Sequence, residues 1–301
     1  MSLPTLLDIK KLNDGVGFDL VEENVLLCPE LRIIPAEVIS GAEMKLTVRT
    51  DLPTVGFRNL NEGSARSKSE YESRVFSCAD ISGQIAIDLG LYRRALDPLR
   101  LQQAEASGFM EAAFRHVARQ FWYGTTNDAK GFPGVIAQML ADTSHEVDAT
   151  GSSAKSSVYF VRIARETLQF LFGNGTTIDL QPEWKVETVN DSGGKPYQAM
   201  TNWLNGAVGA RLANKNSVVR IKNIAATGKT LTDALMFSAY EKFTTALGAE
   251  PTHIFMTPRS REQLRSSRTA TNERGVPAVL PTDWNGIPII ASSAISNAET
   301  I

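Results

Sequence analysis

Between Asp97 and Gly124 the chain spells out one long helix with both ends marked. Asp97 is an N-cap residue, and Pro98 takes the first helical position, where its missing N–H costs nothing. Ala106, Met110, Ala113, Val117 and Phe121 then recur at the spacing of one helical face. Glu111, Arg115 and Arg119 line the other side, and Gly124 stands where a C-terminal glycine belongs. The pattern predicts about 26 helical residues, roughly 39 Å at 1.5 Å per residue. A helix that long spans a whole domain and serves as its spine.

The segments before it have little core of their own. Residues 1–42 mix short apolar clusters with Gly15, Gly17, Pro29 and Pro35, and no period lasts beyond a turn or two, so they read as an arm. From Glu43, Met44, Leu46 and Val48 alternate with Lys45, Thr47 and Arg49, the pattern of a strand with one wet face. Residues 58–74 follow with four basic and three acidic side chains: Arg58, Arg66, Lys68 and Arg74 against Glu62, Glu70 and Glu72. Extended character resumes over 75–91. The reading is a hairpin over 43–90 with a charged tip. An isolated two-stranded hairpin is marginal in water, so it must rest on something else.

After the helix, β character dominates. Residues 157–164 read as a strand, 185–189 and 197–200 as a hairpin turning at Gly193–Gly194, and 207–213 and 217–224 as two further strands around an Asn-rich turn. The last quarter alternates helix and strand. A helix is expected from about Thr230 to Leu247, with Met236, Tyr240, Phe243 and Leu247 on one face and Gly248 as its stop. Thr257 caps another with Pro258 behind it, and "HIFM" and "GIPIIAS" are strands. The fold class is α+β in four parts: arm 1–42, hairpin 43–90, spine helix with a β-rich platform 91–224, and a compact α/β end 225–301.

Composition narrows the function. A net charge of -2 and a pI near 6.0 leave no bulk electrostatic grip on nucleic acid or an anionic membrane. Cys28 and Cys78 make neither a metal spacing nor a disulfide framework, as in a reducing cytoplasm. The opening "MSLPTLLDIKK" lacks the basic start and apolar run of a signal peptide, and no apolar run approaches the roughly 18 residues of a membrane span. A soluble intracellular product is expected.

Chemical motifs are few. Gly228-Lys229-Thr230 has the ending of a phosphate-binding loop, but the glycine that motif needs five residues earlier is Asn223. Gly228 is expected to relax a turn, with Thr230 or a neighbour capping the next helix. Ser152 and Lys155 form a Ser-x-x-Lys in a Gly/Ser loop, not at the helix start where that pair works. His116, His145 and His253 have no second histidine or cysteine at ligand spacing. The expectation is no catalytic residue, no cofactor and no metal. The basic run Arg259, Arg261, Arg265 and Arg268 is either a solvated helix face or a contact with acidic residues of a neighbouring subunit. Trp122, Trp184, Trp203 and Trp284 are core or interface residues.

The order of parts resembles the major capsid protein of tailed bacteriophages, the Hong Kong 97-like (HK97-like) fold. Three stretches carry it: "FWYGTTNDAKGFPGV" (121–135) is similar to the family's turn after its spine helix, 191–224 to the platform strands of a podophage-type subgroup, and "DWNGIPIIASSAI" (283–295) to a Gly-x-Pro strand near the end of the compact domain. The resemblance implies a structural subunit that assembles into an icosahedral head around double-stranded DNA, in hexamers and pentamers of itself. Scaffolding, portal and decoration proteins would be its other partners, with no sequence-specific DNA contact and no membrane. It also implies a virion location after assembly in the host cytoplasm. Candidate contacts between subunits are Arg58, Glu62, Arg66, Lys68, Glu70, Glu72 and Arg74 of the hairpin, with Arg261 and Arg265. The prototype's lysine–asparagine cross-link is not carried over, because Lys68 has no matching partner. No long charged helical segment precedes the arm, which implies a separate scaffolding protein or a removed propeptide. The alternatives are an encapsulin-type nanocompartment shell and, from another class, a nucleotide-binding enzyme.

Overall fold

The computed structural model describes residues 28–139, 143–164, 167–175, 177–270 and 276–300. Most of the predicted arm, residues 1–27, lies outside them.

The spine helix is present over Pro98–Tyr123, 26 residues, with the Asp97 side chain accepting from Arg100 N at 3.0 Å. At its other end Gly124 adopts φ 56°, and a Cβ there would lie 2.2 Å from Gly134 N. Only glycine fits that crossing. Buried Gln120 fixes the loop that makes it, donating from Nε2 to Asp128 O and Phe132 O.

In chain order the elements are α1 (Glu30–Ile33), β1 (Ala36–Val38), β2 (Glu43–Asp51), β3 (Glu70–Ser77), β4 (Ala79–Asp88), α2 (Leu89–Arg94) and the spine helix α3 (Pro98–Tyr123). Then come α4 (Val135–Gln138), β5 (Glu146–Asp148), β6 (Ser156–Val161), β7 (Leu168–Phe172), β8 (Asp179–Leu180), β9 (Lys185–Asn190), β10 (Pro196–Leu212) and β11 (Val218–Ile224). The chain ends with α5 (Asp233–Leu247), β12 (His253–Met256), α6 (Pro258–Ala270), β13 (Asp283–Trp284) and β14 (Ile287–Ala291).

Two six-stranded sheets carry the core. The first, the platform, runs β1-β7-β10-β4, with β8 and β9 also paired to β10. The second runs β13-β14-β12-β6-β11-β5. β6 lies in the middle of the second sheet and is buried on both faces, which explains its unbroken apolar run. Val158 and Phe160 face one core with Met236, Phe243 and Leu264 of α5 and α6. Tyr159 and Val161 face another with Val117, Phe121 and Trp122 of the spine.

Three readings change. Residues 197–200 and 207–213 belong to one 17-residue strand, β10, and 217–224 does not pair with it but joins the second sheet. The border expected at 224/225 therefore runs through a single sheet, in which β5, β6 and β11 join the strands of the last quarter. The extended run after the hairpin tip also divides. β3 starts at Glu70 and pairs with β2, whereas β4 pairs with β10 from Ala79↔Val208 to Asp88↔Ala199. The next helix is capped by Thr232, the neighbouring alternative to Thr230.

The stripe on the spine gives a direct test. Val117 is 2 % exposed, and Glu111 is a half-exposed partner of Arg115 at 2.8 Å. Val117→Asp buries an unpaired charge and is expected to lower unfolding stability by several kcal/mol. Glu111→Gln is expected to cost under about 1 kcal/mol. Urea unfolding of both variants checks this; equal stabilities would mean that the buried face is assigned wrongly.

Candidate subunit interface

The hairpin is a two-stranded sheet of its own, in register from Glu43↔Ser77 to Arg49↔Tyr71, with a shift before the last pair, Asp51↔Glu70. Opposite residues share a face. Met44, Leu46 and Val48 therefore lie with Phe76, Arg74 and Glu72, while Lys45, Thr47 and Arg49 lie with Val75, Ser73 and Tyr71. Among the described residues only the first face approaches the rest of the chain: Phe76 is buried, whereas Tyr71 and Val75 on the other are exposed.

Strand pairing stops at Asp51 and Glu70, and Pro53 and Gly56 keep it from continuing. The tip between, residues 52–69, is exposed almost throughout. It is not merely charged. Leu52, Val55, Phe57 and Leu60 are large apolar residues exposed by 66, 89, 111 and 95 %. Sequence reasoning missed this group because the polar run begins at Arg58. The available signal was four apolar residues, broken by Pro53 and Gly56, with no alternation to place them on a buried face.

The charged candidates separate into three sets. Arg58 and Glu62 build the turn: Arg58 Nη1 donates to Glu62 O at 2.7 Å, and Glu62 Oε2 accepts from Asn59 Nδ2 at 3.1 Å. Arg66, Lys68 and Glu70 point outward and make no hydrogen bond or ion pair among the described residues. Glu72 and Arg74 are tied within the chain. Arg74 donates to Glu72 and, from Nη1, to Ala213 O at 2.7 Å. The guanidinium holds the Glu72 carboxyl below the usual carboxylate range.

Arg261 and Arg265 lie on α6 and donate to backbone carbonyls, and Arg265 Nη1 also pairs with Glu262 at 3.0 Å on the same helix. Arg261 Nε donates to Pro281 O at 2.7 Å and Arg265 Nε to Ala278 O at 2.8 Å, bracing the segment that leads to β13. Arg268 makes a two-armed bond with Asp233, both arms 2.9 Å, and Trp284 Nε1 adds a third donor to that carboxylate. Arg268 lowers the Asp233 pKa by hydrogen bonding.

The groups that look chemical have structural employment. Gly228 adopts φ 80° in a turn where Ala225 N donates to Lys229 O at 2.9 Å, and α5 starts only at Asp233. The backbone N–H groups of a phosphate cradle are therefore not gathered at Lys229. A denser cluster lies at the second sheet. Glu299 accepts from Tyr123 Oη and Ser157 Oγ, both at 2.6 Å, and from Arg220 Nη2 at 2.8 Å. Arg220 also lies 3.8 Å from Glu146. Ser157, Arg220 and Glu299 are all buried, and burial, with neighbouring Tyr159 and the Glu299 carboxylate, holds the Tyr123 hydroxyl far above its ordinary pKa. The cluster stitches the spine's end, the second sheet and residues 296–299 together.

Among the described residues no group of histidine, cysteine, aspartate or glutamate has the arrangement of a metal site, and no helix is long and apolar enough to cross a membrane.

Comparison with known proteins follows the architecture. A family model described as major capsid protein GP7 matches residues 31–301. No curated protein sequence matches the chain. Among solved structures, bacteriophage Epsilon15 superposes at a TM-score of 0.69 with 17% identity, over 99% of this chain and 97% of that one. The bacteriophage JBD30 capsid gives 0.53 with 8% identity, over 98% and 95%. The SrpI encapsulin of Synechococcus elongatus gives 0.51 with 6% identity, over 74% and 96%. The fold is the expected α+β, HK97-like one.

Glu299→Ala leaves Arg220 buried without its closest carboxylate, and loss of one partner from a buried pair costs about 3–5 kcal/mol. A correspondingly lower urea midpoint with an unchanged m-value is expected. Wild-type stability in this variant would refute the stitching role.

Proposed function

We propose a role for the hairpin from one premise: the chain belongs to the major capsid protein GP7 family. It is a structural subunit of a tailed-phage capsid shell. Within that shell, the tip at 52–69 is the part that reaches onto an adjacent copy. The observation that carries this is the exposed set Leu52, Val55, Phe57 and Leu60, which nothing in its own chain covers among the described residues. Magnitudes decide which tip residues matter most. Burying a large apolar side chain is worth about 1.5–3 kcal/mol, whereas an exposed ion pair is worth about 0.2–1 kcal/mol. Phe57 and its neighbours supply the adhesion, and Arg58, Glu62, Arg66, Lys68 and Glu70 set the register around them. Arg261 and Arg265 act between subunits only through donors their own carbonyl acceptors leave over.

The finer reading follows the family. Copies gather as hexamers and pentamers into an icosahedral head that encloses double-stranded DNA, with scaffolding, portal and decoration proteins as further partners and assembly in the host cytoplasm. Arm, hairpin, platform and compact α/β end divide the work, and the subunit does no catalysis. An encapsulin-type shell shares the fold, but the family match favours the phage head.

Replacing residues 53–68 with a short Gly/Ser turn spares both strands. The shortened chain is expected to melt like the parent yet form no closed particles by size-exclusion chromatography and electron microscopy. Shells of normal size and salt resistance would refute the role of the tip.

Titration calorimetry with Mg-ATP is expected to show no binding at micromolar concentration. A heat of binding lost in Lys229→Ala would overturn the non-enzymatic reading.

A further inference from the structure

The hairpin belongs to neither large sheet, yet its base is fixed at two points to one short stretch of chain. Covalently it leaves the platform at Gly41–Ala42 and returns at Ser77–Cys78, where Cys78 N donates to Ala42 O at 2.8 Å. β10 passes directly beneath: a Cβ on Gly209 would lie 2.8 Å from Ser77 O. Beyond this joint each strand has its own tie. On β3, Arg74 Nη1 donates to Ala213 O at 2.7 Å, while Nε and Nη2 hold Glu72 Oε2 at 2.9 and 2.7 Å. Lys215 stands 4.0 Å from the other Glu72 oxygen. On β2, Met44 Sδ accepts from Arg211 Nη1 at 3.1 Å, and Arg211 is itself held by Glu37 at 3.0 Å. Both ties end at the close of β10 and the loop after it, residues 211–215.

We infer that Arg74 and Arg211 form a two-point clamp that fixes the direction in which the hairpin leaves the platform, with Arg74 as the positioning residue on the returning strand. The Arg74 side chain is only 13% exposed and uses its planar fork in two directions at once, which a lysine ammonium cannot reproduce. Its acceptor is itself immobile, because Ala213 N donates to Thr167 O at 2.8 Å. Leverage makes the clamp consequential. From Arg74 to Glu62 the chain reaches up to about 40 Å at ~3.3 Å per residue. A tilt of about 10° at the base then moves the tip by about 7 Å, further than the ~4.5 Å range of an apolar contact. The consequence for assembly rests on the reading that the tip docks on another copy; the clamp itself does not.

The test separates the two. In the full chain with Cys28→Ser and Cys78→Ser, spin labels at Ser64→Cys on the tip and Gln103→Cys on the exposed side of the spine report the hairpin's stance by pulsed electron–electron resonance in the unassembled subunit. A narrow distance distribution is expected, at least doubling in width on adding Arg74→Ala, with circular dichroism unchanged. Arg74→Lys is expected to behave like Arg74→Ala, because it loses the fork. If Arg74→Ala does not fold, Glu72→Ala removes only the brace on the guanidinium and is expected to broaden the distribution partway. An equally narrow distribution in the folded variants overturns the clamp, whatever their shells look like. Parent protein that never forms shells overturns the docking reading and leaves a broadened Arg74→Ala distribution as support for the clamp.

Discussion

Phe121, Trp122 and Tyr123 make, in three consecutive residues, the contacts that join every layer of the molecule. Trp122 stacks on Tyr159 of the second sheet at 4.4 Å, and Phe121 meets Phe170 of the platform at 4.5 Å. Trp122 Nε1 donates to Glu30 at 2.8 Å, fastening the start of the described chain, and Tyr123 Oη donates to Glu299, fastening its end. Burial raises the Glu30 carboxyl above the usual range, a cost accepted where the indole donor fixes its position. The helix has to be 26 residues long because its far end must enter this junction while its near end still caps at Asp97. The Gly124–Gly134 crossing follows from the same need, since the chain must turn away at once after Tyr123.

That junction also explains why the periphery is built differently. Two cores, one on each face of β6, take up most of the large apolar side chains of the two-sheet body. The hairpin shares in neither. It holds its register through strand pairing, meets the end of β10 through Arg74 and Arg211, and has an apolar tip that the described residues leave exposed. The subunit folds on its centre, and the tip residues Leu52, Val55, Phe57 and Leu60 remain uncovered by the described residues of their own chain.

Much of this was legible in the sequence. The spine was read correctly at both ends because caps are local: Asp97, Pro98 and Gly124 act within four residues of themselves. β12, α6 and the first hairpin strand were also legible from local pattern, whereas the second was expected over 75–91 and lies at Glu70–Ser77. Strand pairing was not legible, because partners are chosen across the chain. β10 looked like two strands, 197–200 and 207–213, with a break before Ala207. In the structure Gly206 is a point of close approach, where a Cβ would come 3.0 Å from Ile178 Cα, and Gly209 does the same beneath Ser77. A strand glycine that marks a neighbour's passage and one that marks a turn read alike in sequence. The candidate interface was half legible: its charges stood out, while its apolar residues hid among Pro53, Gly56 and Asn59.

The arginines show what charge patterning alone leaves out. A run such as Arg259, Arg261, Arg265 and Arg268 prompts a search for acidic partners; Arg268 finds Asp233 at 2.9 Å and Arg265 finds Glu262 at 3.0 Å. Backbone carbonyls of their own chain are taken by Arg259, at Asn297 and Ala154, by Arg261 at Pro281 and by Arg265, beside its ion pair, at Ala278. Arg74 at Ala213, Arg162 at Glu250 and Arg58 at Glu62 do the same. These carbonyls lie mostly in loops and segments outside the sheet ladders, where no strand partner supplies an N–H. A guanidinium with five donors and a long stem reaches them and still keeps donors for water or a second acceptor. In a chain whose sheets must end abruptly to leave edges and a hairpin free, arginine is therefore needed as a backbone brace first. Its sequence position records where loops must be held, which no acidic residue nearby in sequence can reveal.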